Sequence, residues 1–206
     1  MNIEVLPKAV LFDMDGVLVD ARDWHFEALN LALGHFGLEI DRHTHLRLFD
    51  GLPTKVKLKM LSEDTGLPQE LHPLINKLKQ RYTMQITYAK CLPIYHILQL
   101  IRFLSSKDVK IAVCSNSIRS TIESMMNLSG LSPYIDLILS NEDVTQSKPH
   151  PEIYNKAIEY FALDKSECLI VEDSDHGIQA AKAAGCSLAI VSGPDQVNFS
   201  ILNHFF

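Results

Sequence analysis

Cysteine is scarce in this chain: the four thiols, Cys91, Cys114, Cys168 and Cys186, are spread over 206 residues. No two of them have the spacing of a zinc or redox site, and their density is far below that of a disulfide-stabilised scaffold. The chain therefore has to fold around an apolar core, for which its length is sufficient. We expect the four cysteines to be buried thiols.

Long hydrophobic runs are also missing. The sequence contains no stretch of 18 or more uninterrupted apolar residues, so it predicts no membrane-spanning helix. The opening residues MNIEVLPKAV have neither the basic segment nor the apolar stretch of a secretory signal. A cytoplasmic protein is therefore expected.

Basic charge is in short supply. The chain has 19 Lys and Arg against 25 Asp and Glu, and a net charge of −6 argues against a nucleic acid or an anionic membrane as its partner. The charge balance of residues 21–86 is different: this segment has nine basic and eight acidic residues, whereas the rest of the chain has ten basic and seventeen acidic residues. We expect this segment to face an anion. The sequence leaves the oligomeric state open, with a monomer as the simplest expectation.

Short apolar runs recur along the chain, and each of the first four is followed by a loop and a helical pattern. Such runs, separated by helices, are typical of a parallel sheet covered on both faces. Pro151 at the start of one helical pattern and Gly185 at the end of another mark their limits. The predicted class is α/β, with a doubly wound, Rossmann-like parallel sheet. The expected strands are residues 8–13, 110–115, 134–139, 168–173 and 187–192.

About seventy residues between the first two expected strands follow a different pattern. Residues 22–36, 53–62 and 68–88 have the periodicity of amphipathic helices. An insertion of this length is too long for a simple crossover. Two domains are therefore expected: a Rossmann-like catalytic core of residues 1–17 and 88–206, and an inserted α-helical cap domain of residues 18–87.

Polar side chains gather where the expected strands end, which is the edge where open parallel sheets bind ligands. Carboxylates brought together there would repel one another by roughly 4 kcal/mol per pair at 4 Å and an effective dielectric near 20, so the group requires a cation. Oxygen donors without His or Cys favour Mg²⁺. The residues concerned are Asp13, Asp15, Ser115, Lys148, Glu172 and Asp173.

The same residues suit phosphoryl transfer. Mg²⁺ and the ammonium group of Lys148 would offset the repulsion between an attacking carboxylate and a phosphate, while Ser115 and backbone N–H groups of the neighbouring loops hold the phosphoryl oxygens. Asp13 can then act as a nucleophile and form an aspartyl-phosphate. Asp15 can give a proton to the leaving oxygen and later take one from water.

Four stretches, DMDGVLVD, CSNS, SKPHPEIY and VEDSDHGIQAAKAAG, resemble in order the motifs of the haloacid dehalogenase superfamily. With its helical insertion after the first motif, the chain is similar to the helical-cap branch, subfamily I, which includes β-phosphoglucomutase and sugar-phosphate phosphatases. The resemblance implies phosphoryl transfer and not dehalogenation, because dehalogenases lack the second Asp of the first motif. It implies Asp13 as nucleophile, Asp15 as general acid/base, Met14, Ser115 and Asn116 as substrate binders, Lys148 as the charge-balancing lysine, and Asp13, the backbone carbonyl of Asp15, Glu172 and Asp173 as Mg²⁺ ligands.

The resemblance extends into the inserted segment, where WHFEALN is similar to the start of the cap and FDGLPTKVKLKML resembles its substrate-specificity loop. An ordinary, partly exposed helical histidine is the alternative for His25. Lys57 and Lys59 are expected to solvate their helix. The residues implied as substrate contacts are His25, Gly51, Thr54 and Lys55.

The expected function is that of a Mg²⁺-dependent phosphatase acting on a small phosphorylated metabolite, in the first place a sugar phosphate. A phosphohexomutase similar to β-phosphoglucomutase is the first alternative, although GLPTKVK offers only lysines where close relatives of that enzyme have an arginine. A non-catalytic protein that binds a phosphorylated metabolite is the second, although it would have no need of Asp15. Two structural alternatives concern single residues: Glu172 and Asp173 could cap the helix that follows them, and Lys148 could be a surface lysine.

Overall fold

The computed structural model describes residues 6–49 and 51–205. The chain forms two compact units: the first contains the described residues up to Asp20 and from Cys91 onward, and the second is Ala21–Lys90. The second unit thus begins and ends three residues later than the cap domain expected from the sequence. Its action as a cap stays a prediction.

A parallel sheet forms the centre of the first unit. Its strands are β1 (Ala9–Phe12), β2 (Lys110–Cys114), β3 (Leu137–Leu139), β4 (Cys168–Glu172) and β5 (Ser187–Ile190). They pair in parallel in the order β3-β2-β1-β4-β5. Every residue of β1 and β4 is buried, as is required of strands covered on both faces. The predicted α/β class with a parallel sheet is confirmed.

The helices of the described residues follow the strands and fill the second unit. None of them is both long enough and apolar enough to cross a bilayer. They are α1 (Arg22–Gly34), α2 (Arg42–Thr44), α3 (Thr54–Thr65), α4 (His72–Lys90), α5 (Tyr95–Ser106), α6 (Arg119–Leu128), α7 (Glu152–Phe161) and α8 (Asp175–Ala184), together with a π-helical turn at His45–Phe49 and short 3₁₀ turns such as Ser132–Tyr134 and Phe199–His204.

Most elements differ from their expected bounds by a few residues, and three of the differences have an evident source in the sequence. The third strand is three residues shorter than expected, because Pro133 lies within a 3₁₀ turn, Ser132–Tyr134, and the chain pairs only from Leu137. Pro151 lies just before α7 and not within its first turn. Helix α5 was not predicted, although Ile97, Leu100, Ile101 and Leu104 are buried at helical spacing.

Helix α8 shows how local sequence fixes the element that follows the acidic end of β4. The Oγ atom of Ser174, at the N-cap, accepts a hydrogen bond from the N–H of Gly177 over 3.2 Å. At the other end Gly185 has φ 81°, a left-handed conformation that glycine adopts without strain. The alternative in which Glu172 and Asp173 cap this helix is therefore wrong, because Ser174 does so.

Cys186 departs from the expectation of four buried thiols. Cys91, Cys114 and Cys168 are buried, whereas Cys186 is partly exposed. It immediately precedes β5, which lies at the edge of the sheet and is covered less completely than the central strands.

The second unit has an apolar core of its own. Leu29 and Leu33 of α1 pack with Leu58 of α3 and Ile75 of α4, and all four side chains are buried. The unit is therefore a helical body and not an extended connection between the first two strands.

Candidate active site

The sheet register brings the ends of three strands together. Phe12 at the end of β1 pairs with Val113 of β2 on one side and with Val171 of β4 on the other. The residues that follow these three positions therefore share one edge of the sheet. Asp13, Ser115 and Glu172 lie there, as the sequence predicts.

Lys148 is the centre of the polar contacts at this edge. Its Nζ atom donates to Oδ1 of Asp13 over 2.7 Å, to Oε1 of Glu172 over 2.6 Å and to the carbonyl oxygen of Cys114 over 2.7 Å. These contacts use all three protons of the ammonium group. Lys148 is buried, so the alternative of a surface lysine is wrong.

Burial and charge act in opposite directions on these groups. Burial lowers the pKa of Lys148, but the negative charges of Asp13 and Glu172 outweigh it and raise that pKa above its usual range. Burial raises the pKa of Asp13 well above its ordinary value, the charge of Lys148 opposes this, and the nearby carboxylates add to it. The lysine therefore stays cationic, while ionisation of Asp13 depends on positive charge close by.

The acidic residues of the site lie close enough to share a metal ion. One carboxylate oxygen from each of Asp13, Glu172 and Asp173 lies within 4.8 Å of the others. The three carboxylates and Lys148 together carry a charge of −2 when all are ionised. A set of hard oxygen donors with this charge suits a divalent cation. The side chain of Asp15 is not in this group, and participation of its backbone carbonyl stays a prediction.

Asp15 lies in the tight turn after β1 and is held by two serines. Its Oδ2 atom accepts a hydrogen bond from Oγ of Ser117 over 3.0 Å and a longer one from Oγ of Ser115 over 3.4 Å. The N–H of Gly16 donates to the carbonyl oxygen of Val19 over 2.8 Å, which closes the turn. Ser117 is missing from the predicted set, although it is the last residue of the CSNS motif.

Asn116 and Met14, both predicted to bind substrate, have structural contacts here. The side chain of Asn116 accepts from the N–H of Lys148 over 3.2 Å and donates to its carbonyl oxygen over 3.4 Å, which fixes the loop that carries the lysine. Met14 is fully buried, and its carbonyl oxygen accepts from the N–H groups of the turn, including that of Leu18 over 2.9 Å. Contact of either residue with substrate stays a prediction.

Two residues outside the predicted set surround Glu172. The hydroxyl of Tyr154 donates a short hydrogen bond to Oε1 of Glu172. A Cβ atom on Gly177 would lie 2.1 Å from Cδ and from both carboxylate oxygens of Glu172. Both residues belong to quoted motifs, SKPHPEIY and VEDSDHGIQAAKAAG, but the sequence cannot show that their side-chain and backbone atoms meet one carboxylate.

The predicted substrate contacts of the inserted segment all lie in the second unit. His25 is partly exposed on α1, and its Nδ1 atom lies 3.1 Å from Nζ of Lys79 on α4. Gly51 lies in the turn before α3, Thr54 is the first residue of that helix, and Lys55 is exposed. Their role stays a prediction, and Lys79 is absent from the predicted set.

Lys57 contradicts the expectation that it solvates its helix. It is buried, whereas Lys59 is exposed as expected. The buried His45 lies near it, and burial, with the charges of Lys57 and His25, lowers the pKa of His45 to about 4. Its ring is therefore neutral at physiological pH.

Comparisons with known proteins show what this chain is similar to. A family model described as haloacid dehalogenase-like hydrolase matches residues 10–191. The bifunctional riboflavin kinase/FMN phosphatase of Arabidopsis thaliana is 29% identical over 96% of this chain, which spans only 52% of that protein. The phosphorylated carbohydrates phosphatase of Thermotoga maritima is 30% identical over 86% of this chain and 82% of its own. The crystal structure of β-phosphoglucomutase from Clostridium difficile has a TM-score of 0.83 and 23% identity over 97% of both chains, a likeness that shows the fold.

Proposed function

Because the chain belongs to the haloacid dehalogenase-like hydrolase family, we propose that it is a Mg²⁺-dependent phosphatase of a small phosphorylated metabolite. The observation that carries this proposal is the shared ammonium group of Lys148, which bonds both Asp13 and Glu172 beside Asp173. It supports the proposal because Asp13, the proposed nucleophile, lies among acidic groups whose charge suits a divalent cation.

Asp13 is the proposed nucleophile. One of its carboxylate oxygens attacks phosphorus, the bond from phosphorus to the leaving oxygen breaks, and an aspartyl-phosphate forms. The attacking carboxylate has to be ionised, and the positive charge of Lys148 lowers the pKa of Asp13 against the effect of burial. Water then attacks the same phosphorus, and phosphate leaves with Asp13 regenerated.

Asp15 is the proposed acid and base. It gives a proton to the leaving oxygen in the first half-reaction and takes a proton from the attacking water in the second. The hydroxyls of Ser117 and Ser115 hold its Oδ2 atom and so fix the carboxyl group in the turn. The turn after β1 thus separates the proton-transfer group from the nucleophile by a single residue, Met14.

The proposed metal site consists of Asp13, Asp173 and Glu172, with the backbone carbonyl of Asp15. Bound Mg²⁺ would supply positive charge to offset the repulsion between phosphate and carboxylate oxygens. Lys148 supplies one positive charge from the protein itself, and Glu172 keeps that charge in place.

A sugar phosphate is the proposed substrate class. The relative from Thermotoga maritima is named as a phosphatase of phosphorylated carbohydrates, and most of its length is covered by this chain. The residues proposed to meet the non-reacting part of the substrate are His25, Gly51, Thr54 and Lys55. We also propose that the protein is cytoplasmic and monomeric.

Phosphate release from a panel of sugar phosphates and other phosphomonoesters, with Mg²⁺ and with excess chelator, tests the proposal. We expect Mg²⁺-dependent release from at least one sugar phosphate. Conversion of a hexose 1-phosphate into the 6-phosphate, with little free phosphate, would instead identify a phosphohexomutase. Binding of these compounds without turnover would identify a non-catalytic binding protein.

A further inference from the structure

We propose that Tyr154 is a positioning residue for the candidate metal site: its hydroxyl holds the carboxylate of Glu172 in an orientation that serves Lys148 and a bound cation at once. The inference rests on the proposed function, because it requires a divalent cation at Asp13, Glu172 and Asp173.

The side chain of Glu172 is completely buried, and a buried carboxylate is costly unless donors surround it. Two donors meet the same oxygen, Oε1: the ammonium group of Lys148 and the hydroxyl of Tyr154. The backbone N–H of Asp173 donates to the other oxygen, Oε2, over 3.2 Å. The carboxylate is therefore held more strongly at Oε1 than at Oε2.

Tyr154 supports the lysine as well as the glutamate. It lies in the first turn of α7, six residues after Lys148, and is completely buried. Nζ of Lys148 lies 4.9 Å from the centroid of its ring, within the range of a cation–π interaction. The ring thus supports the ammonium group while the hydroxyl holds the carboxylate that this group neutralises.

Gly177 confines the carboxylate from another side. The first turn of α8 passes so close that even a methyl group there would overlap all three carboxyl atoms of Glu172. Between this backbone and the hydroxyl of Tyr154, the carboxylate has little freedom to rotate. Oε1 has two donors and Oε2 has one, so Oε2 keeps more capacity to bind a cation shared with Asp13 and Asp173.

The substitution Tyr154→Phe removes the hydroxyl and keeps the ring. Loss of a group that orients a metal ligand typically weakens metal binding 10- to 100-fold, and we expect about a 10-fold weaker affinity for Mg²⁺. The matched control is Tyr160→Phe, which alters an exposed tyrosine of the same helix. Its affinity for Mg²⁺ is expected to equal that of the wild type.

Calorimetric titration of the full chain with MgCl₂ measures these affinities without any substrate. Weaker binding by Tyr154→Phe alone supports the inference. Equal binding by all three proteins overturns it and leaves the proposed function standing. A wild-type protein that binds no Mg²⁺ overturns the proposed metal site, and the positioning role with it.

Thermal unfolding of the same proteins, with and without Mg²⁺, separates positioning from support of the fold. A purely structural role would lower the thermal unfolding midpoint of Tyr154→Phe by the same amount with and without Mg²⁺, and that result would also overturn the inference.

If Tyr154→Phe does not fold, Gly177→Ala offers a second test, since it displaces Glu172 with Tyr154 intact. Gly34→Ala is its control, because a Cβ there meets no atom within 4 Å. Weaker Mg²⁺ binding by Gly177→Ala alone supports the orientation of Glu172 on which the inference depends, and affinities equal to wild type overturn the inference.

Discussion

The ammonium nitrogen of Lys148 lies 2.7 Å from Oδ1 of Asp13, and both side chains are buried. The two residues are 135 positions apart in the chain, so only the fold brings them together. This contact gives the proposed nucleophile the positive charge it needs in an environment that otherwise favours its protonated form.

Replacing Lys148 with methionine should impair both activity and stability. Removing one partner of a buried ion pair typically costs about 3–5 kcal/mol, because the remaining carboxylates lose their counter-charge. We expect kcat/KM to fall at least about 100-fold and the urea midpoint to fall as well. Steady-state kinetics and urea unfolding measure the two effects. Lys182→Met, at an exposed lysine of α8, should change neither; an active Lys148→Met enzyme would contradict the role given to this lysine.

Ser117→Ala should impair proton transfer. The hydroxyl of Ser117 donates the shorter of the two serine hydrogen bonds to Asp15, and a hydrogen bond to a charged group contributes about 1.5–3 kcal/mol. We therefore expect kcat to fall roughly 10-fold, with an altered dependence of kcat on pH. Ser124→Ala, whose hydroxyl donates to a helix carbonyl oxygen, serves as the control. A kcat and pH profile equal to wild type would show that Ser117 does not position Asp15.

His45 should make stability depend on pH. Its pKa falls from 6.5 to about 4 on folding, through burial and the charges of Lys57, His25 and Arg42, while Asp23 acts in the opposite sense. The unfolded chain therefore binds a proton first, and stability is lost as pH falls from about 6.5 towards 4. The loss attributable to His45 is of the order of 2 kcal/mol after screening.

Urea unfolding at several pH values between about 7 and about 4.5 measures how the free energy of unfolding changes as His45 titrates. His45→Phe keeps a ring next to Phe26, removes the titrating group and should flatten the pH dependence. His43→Gln, at an exposed position, should leave the slope of the wild type unchanged. If the free energy of unfolding depends on pH in the same way for wild type and His45→Phe, His45 is not the group responsible.

Cys186 should be the most reactive thiol of the native protein. The neighbouring thiol of Cys168 and the nearby charge of Lys165 lower the pKa of Cys186, whereas burial raises the pKa of Cys91 to about 11 and of Cys114 to about 12. Since the thiolate is the reactive form, iodoacetamide at neutral pH should label Cys186 first. Peptide mass mapping over time gives the order, and Cys186→Ser should abolish the fast phase. Earlier labelling of Cys91 or Cys114 would contradict it.

The sheet was predictable because its strands are short apolar runs separated by segments with helical periodicity, and both patterns can be recognised from the sequence alone. The acidic positions followed from the strand ends, so the meeting of Asp13 with Glu172 needed only the parallel register. The matched family model confirms the resemblance drawn from the four motifs.

Contacts that depend on side-chain reach were not predictable. Spacing along the chain does not show that Tyr154 meets Glu172, or that Gly177 is required for its small size. Lys57 has the charge and spacing of a solvated helical lysine, yet packing within the second unit buries it. The edge position of Cys186 likewise follows from strand order, which no single stretch of sequence encodes.

Phosphate release by Asp13→Asn, compared with wild type on the best substrate of the panel and with saturating Mg²⁺, tests the central claim most directly. The amide keeps the size of the side chain but removes the nucleophilic oxygen charge. We predict that release falls to background while circular dichroism shows a folded protein. Turnover at the wild-type rate in this variant would contradict the assignment of Asp13 as the nucleophile.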